Sequence, residues 1–163
     1  LRSQKSFGVG EFSDMLLLVD WAKQTGLKLL QILPVNDTTA NHKWTDSYPY
    51  AAISAFALQP LYINLGKVAG KRFSGVVKSL KKKKKQLNEL VRFDYDQVMK
   101  IKLSALREIY AASKEVFKND AGYFEFFEMN RAWLVPYAVF SYLRGKYKTP
   151  DYTKWQSHKK LNE

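Results

Sequence analysis

The sequence lacks cysteine altogether, which excludes a disulfide framework and any metal site built from thiolates. It also lacks an apolar run near the ~20 residues that a membrane-spanning helix needs. No basic segment followed by an apolar stretch opens the chain, so we expect no secretory signal. These absences favour a cytoplasmic protein without a membrane partner. Because the chain begins Leu-Arg-Ser rather than with Met, we expect it to be a piece of a longer protein.

A nucleotide-binding loop is missing too. Residues 7–10 read Phe-Gly-Val-Gly, but no strand precedes them and the GxGxxG spacing is absent. The paired glycines predict a tight turn instead. We therefore expect no nucleotide cofactor, and the sequence nominates no cofactor of another kind and no metal ligands.

Apolar and basic residues are the abundant classes. Hydrophobic residues make up 46% of the 163 positions, enough for a packed core in one ordinary domain. The net charge of +12 favours an anionic partner. Much of it lies in a lysine run for which no nucleic-acid motif is visible, formed by Lys81, Lys82, Lys83, Lys84 and Lys85. A solvated helix face without nucleic acid is the favoured interpretation, and a non-catalytic basic helical binding module for a polyanion or protein partner is the alternative.

The first third of the chain predicts one helix–strand unit of an α/β fold. Ser13 is a candidate N-cap for a helix that begins at Asp14, and Gly26 is a candidate stop signal. Residues 28–33 are short, mostly apolar and bounded by Gly26 and Pro34, which predicts a strand buried on both faces. In such folds the loop after the strand carries the ligand.

The predicted ligand loop spans residues 34–60, long enough to suggest function. At residues 46–50 it reads DSYPY, where Pro49 stiffens the backbone and aromatic faces lie beside hydroxyl groups. Such a loop suits a sugar ring, although a turn with two core tyrosines has the same composition. His42 and Trp44 are in reach of a sugar, whereas Asp37 is expected to be structural.

The remainder of the sequence predicts one extended segment and then helices. We expect a short strand or extended segment at residues 61–65 and a lysine-rich helix at residues 76–91. A helix at residues 97–117 would be capped by the acids at 94 and 96. A further helix covers residues 123–147, with Pro136 expected to kink or divide it. The helical spacing of Trp133 and Tyr137 is typical of core aromatics.

Several short motifs, in order, resemble those of one enzyme family. Residues 7–14 (FGVGEFSD) resemble the family's "GIGDFGDL", residues 31–34 its "QILP", and residues 46–50 its "DSPY". Residues 60–65 (PLYINL) resemble "PLYIDL", and the sequence around Trp133 resembles "WL..YALF". The family is that of the 4-alpha-glucanotransferases, also called amylomaltases or disproportionating enzymes, of the α-amylase clan. The extra tyrosine of DSYPY resembles its larger members.

The resemblance implies a fold and a division of the chain. It predicts an α/β protein, the first units of a (β/α)8 TIM barrel with a mainly helical inserted subdomain. Residues 1–65 would start the barrel and carry the substrate loop, and residues 66–163 would form the helical subdomain. A barrel takes roughly 250 residues, so the chain would be an N-terminal portion of the catalytic domain. A lone piece with open strand edges would be expected to associate with other copies.

The resemblance also implies an activity. Transfer of α-1,4-glucosyl or glucan units from maltose or maltodextrin to a glucan acceptor would retain the anomeric configuration through a covalent intermediate. The catalytic carboxylates would lie outside this chain, so no catalytic residue is assigned and the piece alone should be inactive. Tyr50 matches the family tyrosine that packs on glucose, and Ser47 and Asp46 match positions beside it that can bind sugar hydroxyls. The alternative for Asp46 and Ser47 is that they only satisfy the backbone of the turn.

Overall fold

The computed structural model describes residues 2–159, in which the regular secondary structure is helical. Leu1, and Lys160 among the lysines near the carboxyl end, lie outside the described residues. The six α-helices, in chain order α1 to α6, are Asp14–Gln24, Leu65–Ala69, Ser74–Ser79, Lys81–Glu89, Tyr95–Phe117 and Ala121–Tyr147. Three short 3₁₀-helices cover Trp44–Ser47, Pro60–Tyr62 and Tyr152–Lys154.

The predicted α/β class and partial TIM barrel are wrong for this part of the chain. No strand or sheet occurs within residues 2–159, where the only pairing is an isolated antiparallel bridge between Asn36 and Leu58. Residues 28–33 have no regular structure and make no backbone hydrogen bond with the described chain. An apolar run becomes a strand only beside another backbone that accepts its hydrogen bonds, and none is present. Instead, Leu29 is 84% exposed.

Two further segments differ from their predicted form. Residues 61–65 form no strand: Pro60 opens a 3₁₀-turn, and the Asn64 side chain then caps α2 by accepting from Lys67 N–H at 2.9 Å. Residues 76–91 are two helices, α3 and α4, that meet at Leu80 rather than one. The first difference arises from local capping and turn chemistry, which overrides a loose apolar periodicity. The break at Leu80 involves no side-chain cap.

The two long helices follow their sequence signals closely. Asp94 accepts a hydrogen bond from Gln97 N–H at 2.9 Å and so caps α5, and Asp120 caps α6 in the same way through Tyr123 N–H. Pro136 does not divide α6, which is continuous from Ala121 to Tyr147. A proline removes one helical hydrogen bond, and the remaining ladder of a 27-residue helix carries the chain across it.

One apolar core joins the amino-terminal segment to α2, α4 and α5. Its fully buried centre is Val98 and Met99 of α5, against which Phe7, Leu61 and Leu87 pack. The predicted division at residue 65 stays a prediction, although this core contains residues from both sides of it. In contrast, the apolar side chains of α1 are largely exposed, as are many on α6.

None of the helices within residues 2–159 combines the length and the apolar composition that crossing a bilayer requires.

Candidate functional site

The predicted ligand loop is folded back on itself by hydrogen bonds between its two limbs. Asp37 N–H donates to the carbonyl of Ala57 at 2.8 Å, and Ile53 N–H donates to the carbonyl of Asp37 at 2.8 Å. Gln59 N–H donates to the carbonyl of Val35 at 2.9 Å. The limbs around residues 35–37 and 53–59 therefore form one base, from which residues 40–50 project.

A buried chain of side-chain hydrogen bonds fills this base. Gln59 Nε2 donates to Thr38 Oγ1 at 2.8 Å, and Gln59 Oε1 accepts from Thr39 Oγ1 at 2.9 Å. Thr38 Oγ1 in turn donates to the backbone carbonyl of Asp46. All four residues are at most 5% exposed, and a buried network that is fully satisfied fixes a single geometry. Gln59 was not among the predicted site residues, because its sequence signal is only an amide side chain before Pro60.

Asp46 is the centre of the projecting part of the loop. Its Oδ2 accepts from the backbone N–H groups of Asn41 and His42, both at 2.7 Å, and of Ala40 at 3.0 Å. Hydrogen bonds from backbone N–H groups to a carboxylate are charge-assisted and about twice as strong as those between neutral groups. Asp46 is 5% exposed and faces the loop rather than the solvent. This geometry favours the alternative considered for Asp46, that it satisfies the backbone of the turn.

Tyr50 lies beyond Asp46 on the outer surface. Its ring is 63% exposed and lies 5.6 Å from the ring of Tyr48, which is 60% exposed. Ser47 is half-buried, and with Pro49 it lines an open cleft of about 680 Å³ between the loop and the amino-terminal segment. Tyr50 is outside the set of described residues that line this cleft. The loop thus presents an aromatic pair to solvent and a hydroxyl to the cleft.

The other two candidates of this loop differ in exposure: Trp44 is exposed, whereas His42 is half-buried. Trp44 is 58% exposed, and its ring edge lies against Phe93. The backbone N–H of Trp44 donates to Asp96 Oδ1 at 2.6 Å. His42 has a left-handed backbone with φ of 60°. Burial and the positive charge of Arg144 lower the pKa of His42, which keeps the ring neutral over a wider pH range.

Helix α6 contacts the base of the loop through Tyr137 and Arg144. Tyr137 Oη donates to Asp37 Oδ2 at 2.6 Å, and Asp37 Oδ1 accepts from Thr39 N–H at 2.8 Å. Burial together with this hydrogen bond raises the pKa of Tyr137 far above its ordinary value. The Arg144 guanidinium donates to the carbonyl of Thr39. Asp37 therefore has the structural role expected for it. Tyr137 is half-buried and forms a hydrogen bond with Asp37, so it is not the apolar core residue that its helical spacing predicted.

The basic run lies away from this loop, on α4. Four of its lysines are exposed, and Lys84 Nζ donates to the carbonyl of Lys5 at 2.6 Å. Five consecutive helical positions point around the whole circumference, so the run forms a solvated helix rather than one basic face.

The described residues offer little for metal binding or acid–base chemistry. Within residues 2–159, no cluster of three or more His, Asp or Glu side chains could hold a metal ion. The two buried carboxylates of the loop, on Asp37 and Asp46, are already engaged by N–H and O–H donors. The loop instead offers an exposed aromatic pair, Tyr48 and Tyr50, and the Ser47 hydroxyl in the cleft.

Comparison with known proteins identifies the family. The model of the family described as 4-alpha-glucanotransferase matches residues 1–163, the whole chain. The chain is 39% identical over 155 residues to "4-alpha-glucanotransferase DPE2" of Oryza sativa subsp. japonica, which covers 95% of this chain and 16% of the rice protein. The 4-alpha-glucanotransferase of Chlamydia muridarum is 31% identical over 145 residues, or 88% of this chain and 27% of that protein. The protein of the same description from Chlamydia caviae is 31% identical over 156 residues, or 95% of this chain and 28% of that protein.

The chain thus spans less than a third of the length of each of these relatives. The matches to the rice and Chlamydia caviae proteins have nearly the same length, but the match covers a smaller share of the rice protein. The rice protein is therefore longer than the chlamydial one, in keeping with the predicted likeness to larger members of the family. No solved structure matches the chain. The resemblance predicted from the short motifs is confirmed by the family model over every residue of the chain. The chain belongs to the 4-alpha-glucanotransferase family.

Proposed function

We propose that the full-length protein transfers α-1,4-linked glucosyl or glucan units between glucans, with maltose, maltodextrin or a glycogen-like polysaccharide as donor and acceptor. The match of the family model to the whole chain carries this proposal. A retaining transfer needs a carboxylate nucleophile and a carboxylic acid that protonates the leaving oxygen. We assign neither to this chain, and expect the isolated piece to be inactive. We place the protein in the cytoplasm, as its composition suggests.

The contribution of this chain is one wall of the glucan site. Tyr50 offers an exposed aromatic face on which the apolar face of a glucose ring can stack. Ser47, three positions earlier, lines the neighbouring cleft and offers its hydroxyl to a sugar unit there. Asp46 shapes the loop through the backbone N–H groups it binds, and so orients both residues. Stacking orients the anomeric carbon and lowers the cost of reaching the reactive geometry.

Replacing Tyr50 in the full-length protein tests this assignment. Tyr50→Ala should lower kcat/KM for maltodextrin disproportionation by about tenfold to 100-fold, the range expected when a base or sugar loses an aromatic stacking surface of about 1–3 kcal/mol. Tyr50→Phe keeps the ring and should retain most of the activity. The rate is measured as glucose released from maltotriose.

Tyr110→Ala is the matched control, since Tyr110 is 62% exposed and also has one aromatic neighbour, Phe117, with ring centres 6.1 Å apart. An equal loss in both variants would show that removing any exposed tyrosine is harmful and would remove Tyr50 from the site. A full-length protein that transfers no glucan at all, with any α-1,4-glucan donor, would contradict the proposed activity itself.

A further inference from the structure

Two polar side chains of α6 reach the base of the loop that carries Tyr50. Tyr137 Oη lies 2.6 Å from Asp37 Oδ2, and the Arg144 guanidinium donates to the carbonyl of Thr39. Tyr137 and Arg144 are seven residues apart, about two helical turns, and therefore project from the same side of the helix. The residues they bind are more than 90 positions earlier in the chain.

Asp37 connects the hydrogen bond from Tyr137 of α6 to both limbs of the loop. Its side chain accepts from both Tyr137 Oη and Thr39 N–H, while its backbone pairs with Ile53 and Ala57 on the opposite limb. Both limbs of the loop therefore meet at one residue whose side chain is fixed by α6. A shift of α6 would move the whole projecting part rather than one limb.

The burial of these groups indicates that their geometry is tightly determined. Asp37 is 1% exposed and Arg144 is 7% exposed. Within the described residues, Arg144 has no carboxylate within ion-pair distance, and its guanidinium lies 5.9 Å from the ring centre of Phe140. A buried guanidinium loses hydration that one carbonyl and one ring replace only in part. Apolar side chains would hold the loop on α6 at lower cost, but without fixing the direction of its backbone.

We propose that Tyr137 and Arg144 are positioning residues for glucan binding: they fix the loop that presents Tyr50 without touching the sugar themselves. The inference rests on the proposed function, because it assigns these residues to the same site. It predicts that removing the Tyr137 hydroxyl weakens glucan binding mainly through Tyr50, the stacking residue of the loop.

A double-mutant cycle in the full-length protein tests this dependence. Tyr137→Phe should raise KM for maltodextrin about fivefold, the size expected for one lost hydrogen bond, with kcat within about twofold of the parent value. In a Tyr50→Ala background the same substitution should raise KM much less, because the stacking surface it positions is gone and only Ser47 remains. Tyr110→Phe, which removes a hydroxyl from an exposed tyrosine, is the control and should leave KM unchanged in both backgrounds.

A second measurement follows the loop directly. Lys43 lies in the projecting part of the loop and is exposed, so trypsin cleavage after it reports opening of the loop. Tyr137→Phe should accelerate this cleavage about fivefold at constant thermal midpoint. Arg144→Lys, which keeps the charge but loses the planar fork, takes its place in both measurements if Tyr137→Phe fails to fold.

The outcomes separate the two proposals. KM effects of Tyr137→Phe and Tyr50→Ala that simply add would overturn the inference and leave the glucan site intact. Cleavage after Lys43 at the parent rate would overturn it as well, whatever the kinetics. Tyr50→Ala without any change in kcat/KM would instead remove Tyr50 from the proposed site, even where Tyr137→Phe does loosen the loop.

Discussion

Lys102 Nζ lies 2.6 Å from Glu11 Oε1, although 91 residues separate the two in sequence, and both side chains are fully buried. Lys102 also donates to the carbonyls of Leu61 and Ile63, at 2.7 and 2.8 Å, so all three of its N–H groups are used. Glu11 Oε2 accepts from Asn64 Nδ2 at 2.6 Å. The pair thus ties the amino-terminal segment and the Pro60–Tyr62 turn to the middle of α5. Burial lowers the pKa of Lys102, and the charge of Glu11 opposes that shift.

Removing one member of this pair should be severely destabilising. Lys102→Met leaves the Glu11 carboxylate buried without its cation, a change that costs about 3–5 kcal/mol. Lys100→Met removes an exposed lysine from the same helix and should change stability by less than about 0.5 kcal/mol. Urea titration of the full-length protein measures both. A Lys102→Met midpoint equal to that of Lys100→Met would show that the buried pair adds nothing to stability.

Gly8 should tolerate no side chain, because a Cβ there would collide with the core. Gly26 shares its backbone conformation but has open space around it, and so serves as the control. Both Gly8 and Gly26 have left-handed backbones, with φ of 74° and 77°, which costs alanine about 1–2 kcal/mol. A Cβ on Gly8 would lie 2.7 Å from Val98 Cγ2 and 3.0 Å from Leu87 Cβ, whereas one on Gly26 meets nothing within 4 Å.

Gly8→Ala should therefore cost about 1–3 kcal/mol more than Gly26→Ala, the usual penalty of overpacking a core. The difference between the two unfolding midpoints in urea measures the contact alone, because the backbone cost is shared. Equal midpoints would mean that Val98 moves aside freely, and that the turn at residues 7–10 is looser than its burial indicates.

The sequence predicted the long helices because their signals are local. Asp94 stands at the start of an apolar periodicity that α5 follows to Phe117, and the polar residues at 119–120 mark the start of α6. Residues 28–33 carried an equally clear apolar signal and were wrongly predicted as a strand. Pairing partners decide whether such a run forms a sheet, and composition does not reveal whether a partner is within reach.

The candidate site shows what a motif predicts and what it leaves open. The motif at residues 46–50 predicts a substrate loop, and Tyr50 is exposed as stacking on a sugar requires, but the role of this loop stays a prediction. The direction of the Asp46 side chain could not be read from sequence, because an aspartate in a turn serves a ligand or the backbone equally well. The contacts from Tyr137 and Arg144 were missed since they join residues more than 90 positions apart.

Asp14 should make stability sensitive to acid. Burial alone would raise its pKa, but hydrogen bonds from Ser3 Oγ and from Glu11 N–H, together with the charge of Lys102, lower the pKa below 3.8. Above pH 3.8 the carboxylate is charged in the folded and unfolded states, and its contribution to stability is fully present. As the pH falls below 3.8 the unfolded chain binds the proton first, so this contribution is lost.

Asp14→Asn should remove that acid sensitivity while lowering stability at neutral pH by about 1–3 kcal/mol. The measurement compares urea midpoints at about pH 6 and about pH 3 for the parent and the variant, and the fall between the two should be smaller in the variant. Asp20→Asn, an exposed position on the same helix, is the control and should reproduce the parent's fall. A variant that loses stability in acid as steeply as the parent would assign the effect to other carboxylates.

Asp46 should control the order of the loop that carries Tyr50. Asp46→Ala leaves the N–H groups of Ala40, Asn41 and His42 without the acceptor that now lies 2.7–3.0 Å from each. Their desolvation can no longer be offset, so the loop should open and trypsin should cleave after Lys43 at least about tenfold faster. Asp46→Asn keeps one oxygen acceptor and should show an intermediate rate.

Asp120→Ala provides the control for this last change, because it removes another carboxylate that accepts a backbone N–H, at the start of α6 and outside the loop. Losing a helix cap costs about 1 kcal/mol, which lowers global stability but should not open the loop around Lys43. Equal acceleration in the two variants would mean that cleavage follows global unfolding. A rate specific to Asp46→Ala, with glucan transfer lost in parallel, would show that the carboxylate acts on the substrate through the backbone of the loop.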